Sequence, residues 1–164
     1  MSARKRFDHF VFWLGIACAV VLLDQASKWA ALKLLRTGEI QYVAPFFNWA
    51  LAFNTGASFS FLAGEGGWQR WFLSALALGV STWIVVMLKR REGGTRFMFA
   101  LSMVLGGALG NVIDRISIGA VVDFIQWHAA GYYWPAFNLA DSAITLGAAI
   151  LVWDQFASGK AEKN

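Results

Sequence analysis

Charged residues are scarce in this chain. Asp, Glu, Lys and Arg make up 15% of its 164 residues, whereas an ordinary soluble domain contains roughly a quarter. Hydrophobic residues make up 58% and the mean hydropathy is +0.52, so too few charges are present to cover a water-facing surface in the usual way. These values argue against a soluble enzyme, and an aromatic content of 16% excludes intrinsic disorder.

Cysteine and histidine are also nearly absent. The only cysteine is Cys18, which excludes an internal disulfide and every multi-cysteine metal site. It lies among Ala and Val in an apolar run, where a thiol behaves as a small apolar group. With His9 and His128 as the only histidines, the chain lacks ligands for metal-dependent hydrolysis, and we expect neither a metal ion nor a cofactor.

Long apolar stretches dominate what remains. Each of the four is close to the length of about 20 residues that a helix needs to cross a bilayer, and they occupy residues 10–27, 70–88, 97–114 and 136–156. A removable signal peptide is the alternative interpretation of the first stretch, but no small-residue cleavage pattern follows it. The fold predicted is therefore a mostly α membrane protein with four transmembrane helices, forming one domain over residues 1–164.

The positions of Lys and Arg predict the orientation. Nine of the 14 basic residues fall on one side of the four predicted spans, and they are Arg4, Lys5, Arg6, Lys89, Arg90, Arg91, Arg96, Lys160 and Lys163. That side is cytoplasmic by the positive-inside rule, so both termini are predicted to be cytoplasmic and residues 28–69 and 115–135 to form outer connections. This bias accounts for the net charge of +4 without a nucleic-acid partner. It also places His9 inside and His128 outside, too far apart to share a site.

The two outer connections are unusually rich in aromatic residues. Alternation between Gln41 and Gly67, as in Phe59, Ser60 and Phe61, favours short strands that form a small extracytoplasmic β cradle on the membrane surface. Residues 30–36 and 123–133 could each form a short interfacial helix.

Ionisable residues inside or at the end of an apolar span are costly, and they are functional candidates for that reason. Five such residues are Asp24, Asp114, Arg115, Asp123 and Asp141. All five lie on the outer side of the predicted topology. Their common depth indicates a single site rather than scattered polar contacts between helices.

Helical spacing arranges several polar residues on shared faces. Residues four apart share a helix face, which groups Gly107 with Asn111 and Arg115, and Gly106 with Gly110 and Asp114. Close helix packing alone is an equally good explanation of these glycines. In the fourth span a polar stripe expected to face the bundle interior is formed by Asn138, Asp141, Ser142 and Thr145.

Two acidic residues, Asp123 and Asp141, have no cationic neighbour in the sequence, whereas Asp24 and Lys28 are four apart and are expected to pair in a structural role. If Asp123 and Asp141 meet in a poorly hydrated site, they would share a proton, as the two carboxyl groups of aspartic proteases do. Two carboxylates at unrelated positions remain the alternative. A Ser/Lys dyad formed by Lys28 with Ser58 or Ser60 is less favoured, because those serines lie in a small-residue turn.

Taken together, these segments resemble the lipoprotein signal peptidase family, also called signal peptidase II. The resemblance covers nearly the whole chain, and it rests on five boxes in the same order: LDQASK, FNTGASFSF, GGALGNVIDR, GAVVDFI and FNLADSAI. Several boxes in order are far more specific than any one of them. Ser58 and Ser60 stand where the second box often has Ala or Gly, so small residues are kept.

The resemblance implies an aspartyl endopeptidase of the bacterial plasma membrane with its active site near the outer face. Its substrate would be a prolipoprotein whose cysteine already carries a diacylglyceryl group, cut just before that cysteine. Asp123 and Asp141 would form the catalytic dyad. The residues implied to shape the site are Asn54, Gly56, Asn111, Arg115 and Asn138, and those implied to support it are Asp24, Lys28 and Asp114.

Two other classes of protein remain possible. A small proton-coupled transporter also places carboxylates among helices, but it favours mid-span carboxylates and often repeat-like halves, neither of which is visible here. A structural membrane subunit gives no reason for two unpaired acids at one depth. We expect a monomer whose other partners are membrane lipids.

Overall fold

The computed structural model describes residues 3–56, 67–91 and 93–161. Within these ranges, four helices and four strands follow in the order α1 (Ala3–Leu34), β1 (Ile40–Ala44), β2 (Phe47–Asn54), α2 (Trp68–Arg90), α3 (Thr95–Ser117), β3 (Val121–Ala129), β4 (Tyr132–Tyr133) and α4 (Leu139–Ala161). Ser58, Ser60 and the predicted strand around Phe59 lie outside the described residues.

Within the described residues, three helical segments are long and apolar enough to cross a membrane: Phe7–Leu34, Trp68–Arg90 and Thr95–Ser117. They correspond to the first three predicted spans. Residues 139–156 of the fourth predicted span lie in helix α4, which is not one of these three segments. The prediction of a mostly helical membrane protein with a small sheet is confirmed at this level.

Helix α3 is the centre of the bundle, because the other three helices all pack against it. Its glycines allow close approach: a Cβ on Gly106 would clash with Val20 of α1, and one on Gly107 would clash with the backbone of Ala140 in α4. The predicted stripe that contains Gly106 therefore faces α1, and the stripe that contains Gly107 faces α4. At the end of α3 away from the sheet, the apolar core consists of Trp13, Ala17, Ile84, Leu88, Met98, Leu101 and Leu105.

The four strands form one antiparallel sheet in the order β1-β2-β3-β4. Between β2 and β3, Trp49 pairs with Ile125 and Ala52 with Asp123, so β2 has one extra residue and bulges there. Beyond its other edge, β3 exchanges backbone hydrogen bonds with Phe137, the residue that leads into α4. The sheet is thus joined to the start of α4 beside Asp123.

The prediction of short interfacial helices is wrong for both segments. Residues 30–34 continue α1 without interruption, because the sequence places no glycine or proline between Leu23 and Leu34 to end that helix. Residues 123–129 belong to β3 and residues 132–133 to β4, with a two-residue turn between them. Pairing with β2 on one side and the β4 hairpin on the other satisfies their backbone groups as strands.

The polar stripe predicted on α4 faces the bundle only in its first turn. Asn138 is fully buried, but Thr145 is exposed. Helix α4 packs against α3 through a neighbouring stripe of small residues that includes Ala140, Ala143 and Gly147. Small side chains permit the closer approach, so they, and not the threonine, occupy the interface.

Candidate active site

Asp141 is fixed by the first turn of α4. The side-chain oxygen Oδ1 of Asn138 accepts a hydrogen bond from the backbone N–H of Asp141 at 2.9 Å, and the Asn138 backbone N–H donates to Oδ2 of Asp141 at 3.3 Å. This reciprocal pair is a capping box, in which the N-cap residue and the third helical residue satisfy each other's backbone N–H groups. Asp141 is therefore held in the first turn of α4, at the positive end of the helix dipole.

Asp123 lies opposite, in the middle of the buried part of β3. The amide Nδ2 of Asn138 donates to its Oδ1 at 2.7 Å, and the amide Nδ2 of Asn54, at the end of β2, lies 3.3 Å from its Oδ2. Asn138 thus contacts both candidate carboxyl groups. Through Asn138, the structure joins Asp123 and Asp141 in one hydrogen-bonded group.

Asn111 of α3 supplies the second contact to Asp141. Its Nδ2 donates to Oδ1 of Asp141 at 2.8 Å, while its Oδ1 accepts hydrogen bonds from Lys28 Nζ at 2.9 Å and from Asn138 Nδ2 at 3.2 Å. Since an ammonium group can only donate, Lys28 fixes the orientation of this amide. The Asn111 NH₂ group must then point toward Asp141.

Lys28 itself belongs to a buried ion cluster beneath the two carboxyl groups. Its Nζ lies 2.8 Å from Asp24 and 2.8 Å from Asp114, and all three side chains are at most 3% exposed. Asp24 accepts the backbone N–H of Ala140, and Asp114 accepts that of Val122. The cluster therefore ties α1 and α3 to the residues next to Asp141 and Asp123. The predicted pairing of Asp24 with Lys28 is confirmed.

Arg115 holds the other wall of the site. One guanidinium nitrogen, Nη2, donates to the carbonyl oxygen of Gly56 at 3.0 Å, and the Gly56 N–H donates to Asn54 Oδ1 at 3.0 Å. The turn after β2 is fixed in this way, and with it the Asn54 amide that reaches Asp123. All ten residues singled out from the sequence thus belong to one hydrogen-bonded network.

Gln25 belongs to the same network, and the sequence analysis missed it. Its Nε2 lies within hydrogen-bonding distance of Asp24 Oδ2, Asp114 Oδ1 and the carbonyl oxygen of Gly110. A signal was available, because Gln25 is a polar residue next to Asp24 inside the LDQASK box.

Burial and charge decide the protonation of Asp123. Asp123 is only 2% exposed. This burial, together with the negative charge of Asp141, raises the pKa of Asp123 to about 7. Hydrogen bonds from Asn54 and Asn138 and the charge of Lys28 oppose the rise in pKa without cancelling it. A carboxyl group with this pKa can donate or accept a proton near neutral pH. In the part of the chain that the structure describes, no three His, Cys, Asp or Glu side chains are grouped as a metal site would require.

Comparisons with known proteins match this chain to one family. The family model described as "Signal peptidase (SPase) II" matches residues 16–157. The chain is 54% identical over 143 residues to the lipoprotein signal peptidase of Polynucleobacter necessarius, covering 87% of this chain and 88% of that protein. It is 52% identical over 143 residues to the lipoprotein signal peptidase of Ralstonia nicotianae, covering 87% and 83%.

Two solved structures of bacterial membrane enzymes have the same fold as this chain. One is titled "Bacterial membrane enzyme structure by the in meso method at 2.3 A resolution"; it superposes with a TM-score of 0.81 at 30% identity, over 93% of this chain and 92% of that one. A second, titled as a bacterial membrane enzyme at 1.9 A resolution, gives a TM-score of 0.74 at 31% identity, over 86% and 90%.

Proposed function

The chain belongs to the signal peptidase II family, and from that membership we propose that it is an aspartic endopeptidase of the bacterial inner membrane. It removes the signal peptide from prolipoproteins whose cysteine carries a diacylglyceryl group, and it cuts the peptide bond just before that cysteine. The observation that carries the catalytic type is the placement of Asp123 and Asp141 on either side of Asn138. The transporter alternative is not supported, because the relatives are peptidases.

The two carboxyl groups divide the work of an acid and a base. Asp141, positioned by the capping box, is the ionised partner in this mechanism and takes a proton from water as the water oxygen attacks the scissile carbonyl carbon. Asp123, protonated at rest, donates its proton to the carbonyl oxygen, which gives a tetrahedral intermediate. Collapse breaks the C–N bond: the leaving nitrogen takes the proton from Asp141, and Asp123 regains one from a hydroxyl of the intermediate.

The surrounding amides position this pair. Asn111, oriented by Lys28, keeps Oδ1 of Asp141 in place, and Asn138 holds Oδ1 of Asp123. Arg115 fixes the turn at Gly56 and, through it, Asn54. We assign Asp24, Lys28 and Asp114 a supporting role, since none of the three contacts Asp123 or Asp141 directly through a hydrogen bond in the described residues.

The proposed topology has four spans with both termini in the cytoplasm, in a single domain that acts as a monomer surrounded by lipid. Two observations support it. The basic segment Lys89–Arg96 adjoins the start of α3 and the carboxyl pair adjoins its end. Thr95 and Asn111 are 16 residues apart on α3, or about 24 Å at 1.5 Å per residue. The sheet therefore forms an outer cradle, at the depth where the scissile bond of a lipid-anchored cysteine lies.

A cleavage assay on lipid-modified precursor in detergent tests the dyad. Asp123→Asn and Asp141→Asn keep size and polarity but stop one partner from cycling between acid and base, so each should lower kcat by about 1000-fold or more. The double variant should be no worse than either single one, because the groups act as a unit. Asp8→Asn, at an exposed aspartate of α1, is the matched control and should retain activity. Near-normal cleavage by a folded Asp123→Asn or Asp141→Asn protein would exclude the mechanism.

A further inference from the structure

A polar cavity lies at the end of the bundle away from the carboxyl pair. It has a volume of about 1020 Å³ and is bounded by the end of α2, the start of α3 and the first turns of α1. Three consecutive cations line it, Lys89, Arg90 and Arg91. The same segment contains one acid, Glu92, which lies outside the described residues. The cavity wall is therefore strongly basic.

The start of α3 adds partial positive charge to the same cavity. Gly94 is the N-cap of α3, so no capping side chain covers the first N–H groups of that helix. Both Gly94 and Thr95 line the cavity. The first N–H groups of a helix have no partner within the helix, and the helix dipole favours an anion beside them. With the basic side chains already present, this helix end strengthens the attraction for a phosphate group.

His9 contributes a buried donor. The indole N–H of Trp13 donates to His9 Nε2 at 3.2 Å, so in the neutral imidazole the proton is on Nδ1. That Nδ1 atom is buried and has no hydrogen-bond partner among the described residues, while the His9 side chain lines the basic cavity. A buried N–H without a partner is costly, and a rotation of the imidazole that turned Nδ1 into the cavity would let a phosphate oxygen accept from it.

An apolar groove of about 650 Å³ lies between α1, α3 and α4 at the same end of the bundle. Thr95 lines both spaces, and Trp13, the partner of His9, lines the groove. Its walls include Phe12, Ile16, Phe99, Ile150 and Trp153, with Arg96 at its polar end. A hydrocarbon chain fits such a wall, and the arginine stands where that chain would meet a headgroup.

We propose that the basic cavity and the apolar groove together bind one anionic phospholipid, with its phosphate among Lys89, Arg90, His9 and the start of α3 and one acyl chain in the groove. Basic pockets between transmembrane helices on the cytoplasmic side suit such headgroups. The lipid belongs to the cytoplasmic leaflet if the proposed orientation holds. Free phosphate would leave the groove unoccupied, so the combination of the two spaces selects a lipid. The site is separate from the carboxyl pair and does not depend on the proposed peptidase activity.

The test measures lipid retained by the purified full-length protein. Protein in detergent is incubated with dioleoyl phosphatidylglycerol or dioleoyl phosphatidylcholine, and bound lipid is measured by native mass spectrometry, with soluble glycerol phosphate as a competitor. The double variant Lys89→Gln/Arg90→Gln should bind phosphatidylglycerol about 30-fold more weakly. Ala149→Phe, which fills the groove, should weaken it while the cations remain. Lys33→Gln/Arg36→Gln removes the same charge at the other end of α1 and is the matched control.

The outcomes separate a built site from diffuse attraction. Preferential retention of phosphatidylglycerol by the native chain and by the control, lost in both test variants and unaffected by glycerol phosphate, would support the proposal. Equal retention of the two lipids by the native chain would overturn it. Equal losses in the Lys89→Gln/Arg90→Gln protein and in the control would also overturn it, because net charge alone would then explain binding. Displacement of the lipid by glycerol phosphate would overturn it as well, because an acyl chain held in the groove should make the lipid bind more tightly than its headgroup alone.

Discussion

Asn138 allows a direct test of the site, because the oxygen and the nitrogen of its side-chain amide contact different groups. Its Oδ1 caps α4 through the Asp141 N–H, and its Nδ2 donates to Asp123, with Asn111 Oδ1 and the Val122 carbonyl oxygen also within reach. Ser is a good N-cap residue but lacks the amide donor. Asn138→Ser should therefore keep the cap and lose the contact with Asp123, whereas Asn138→Ala should lose both.

The magnitude of each effect follows from these contacts. Loss of a cap costs about 1 kcal/mol, so Asn138→Ala should be less stable than Asn138→Ser by about that amount. A hydrogen bond to a charged group contributes about 1.5 kcal/mol, which corresponds to about one pKa unit. Because Asn138 stabilises ionised Asp123, both variants should raise the pKa of Asp123 above its value of about 7.

The pH dependence gives the sign that distinguishes this reasoning from a general loss of structure. In the proposed mechanism the active dyad holds one proton, and deprotonation of Asp123 sets the alkaline limb of kcat/KM. That limb should move to higher pH by about one unit in both variants, so their activity relative to the native enzyme should rise between pH 7 and pH 8. An alkaline limb that stays in place or moves to lower pH in a folded Asn138→Ser protein would refute the assignment.

Further predictions concern stability, substrate and topology. Because burial raises the pKa of Asp123 to about 7, the stability that its neutral form contributes is complete below about pH 4 and is lost as the pH rises through about 7. The free energy of unfolding changes by on the order of 4 kcal/mol over this range. The Tm of Asp123→Asn relative to that of the native protein should therefore rise between pH 5 and pH 8. Asp24→Asn leaves Lys28 with one carboxylate and should cost about 3 kcal/mol, seen as a lower Tm and yield with less effect on turnover per folded molecule. Precursor without the diacylglyceryl group should be cleaved poorly, because acyl burial supplies about 0.8 kcal/mol per CH₂; equal turnover of modified and unmodified precursor would remove lipid recognition but not the peptidase. In a Cys18→Ser background, an impermeant thiol reagent should label Thr37→Cys but not Gly94→Cys in intact cells, and the reverse pattern would invert the topology.

Much of the candidate site can be predicted from the sequence, because placing its charged residues within or next to apolar spans costs free energy. An Asp, Lys or Arg in an apolar run needs a compensating partner, so Asp24, Lys28, Asp114 and Arg115 are conspicuous in the amino-acid sequence alone. Gln25 is not, since a neutral amide in a helix carries a weaker signal. The prediction of interfacial helices is wrong because short segments have weak periodicity and adopt whatever structure their neighbours allow.

The stripe on α4 shows the same limit. Spacing correctly places Asn138 and Asp141 together, but it cannot show that Ala140, Ala143 and Gly147 form the contact with α3 and leave Thr145 exposed. Which of two adjacent helix faces is buried depends on how closely the partner helix can approach. That distance is a property of the pair of helices and not of either sequence alone.

The sequence by itself determined that the chain is a membrane protein, where its apolar helices lie and which charged residues are candidates for a site, because the cost of placing charge in lipid acts on each residue locally. Tertiary structure alone decided what those residues do to one another. Asp123 on β3 and Asp141 on α4 are 18 positions apart in the chain, and they meet because β3 pairs with Phe137 just before α4 begins. The amide of Asn138 then reaches Asp123 while its oxygen caps the helix that holds Asp141. Hydrogen-bond direction and shared burial arise only when these elements pack together, and they set the protonation on which the proposed chemistry depends.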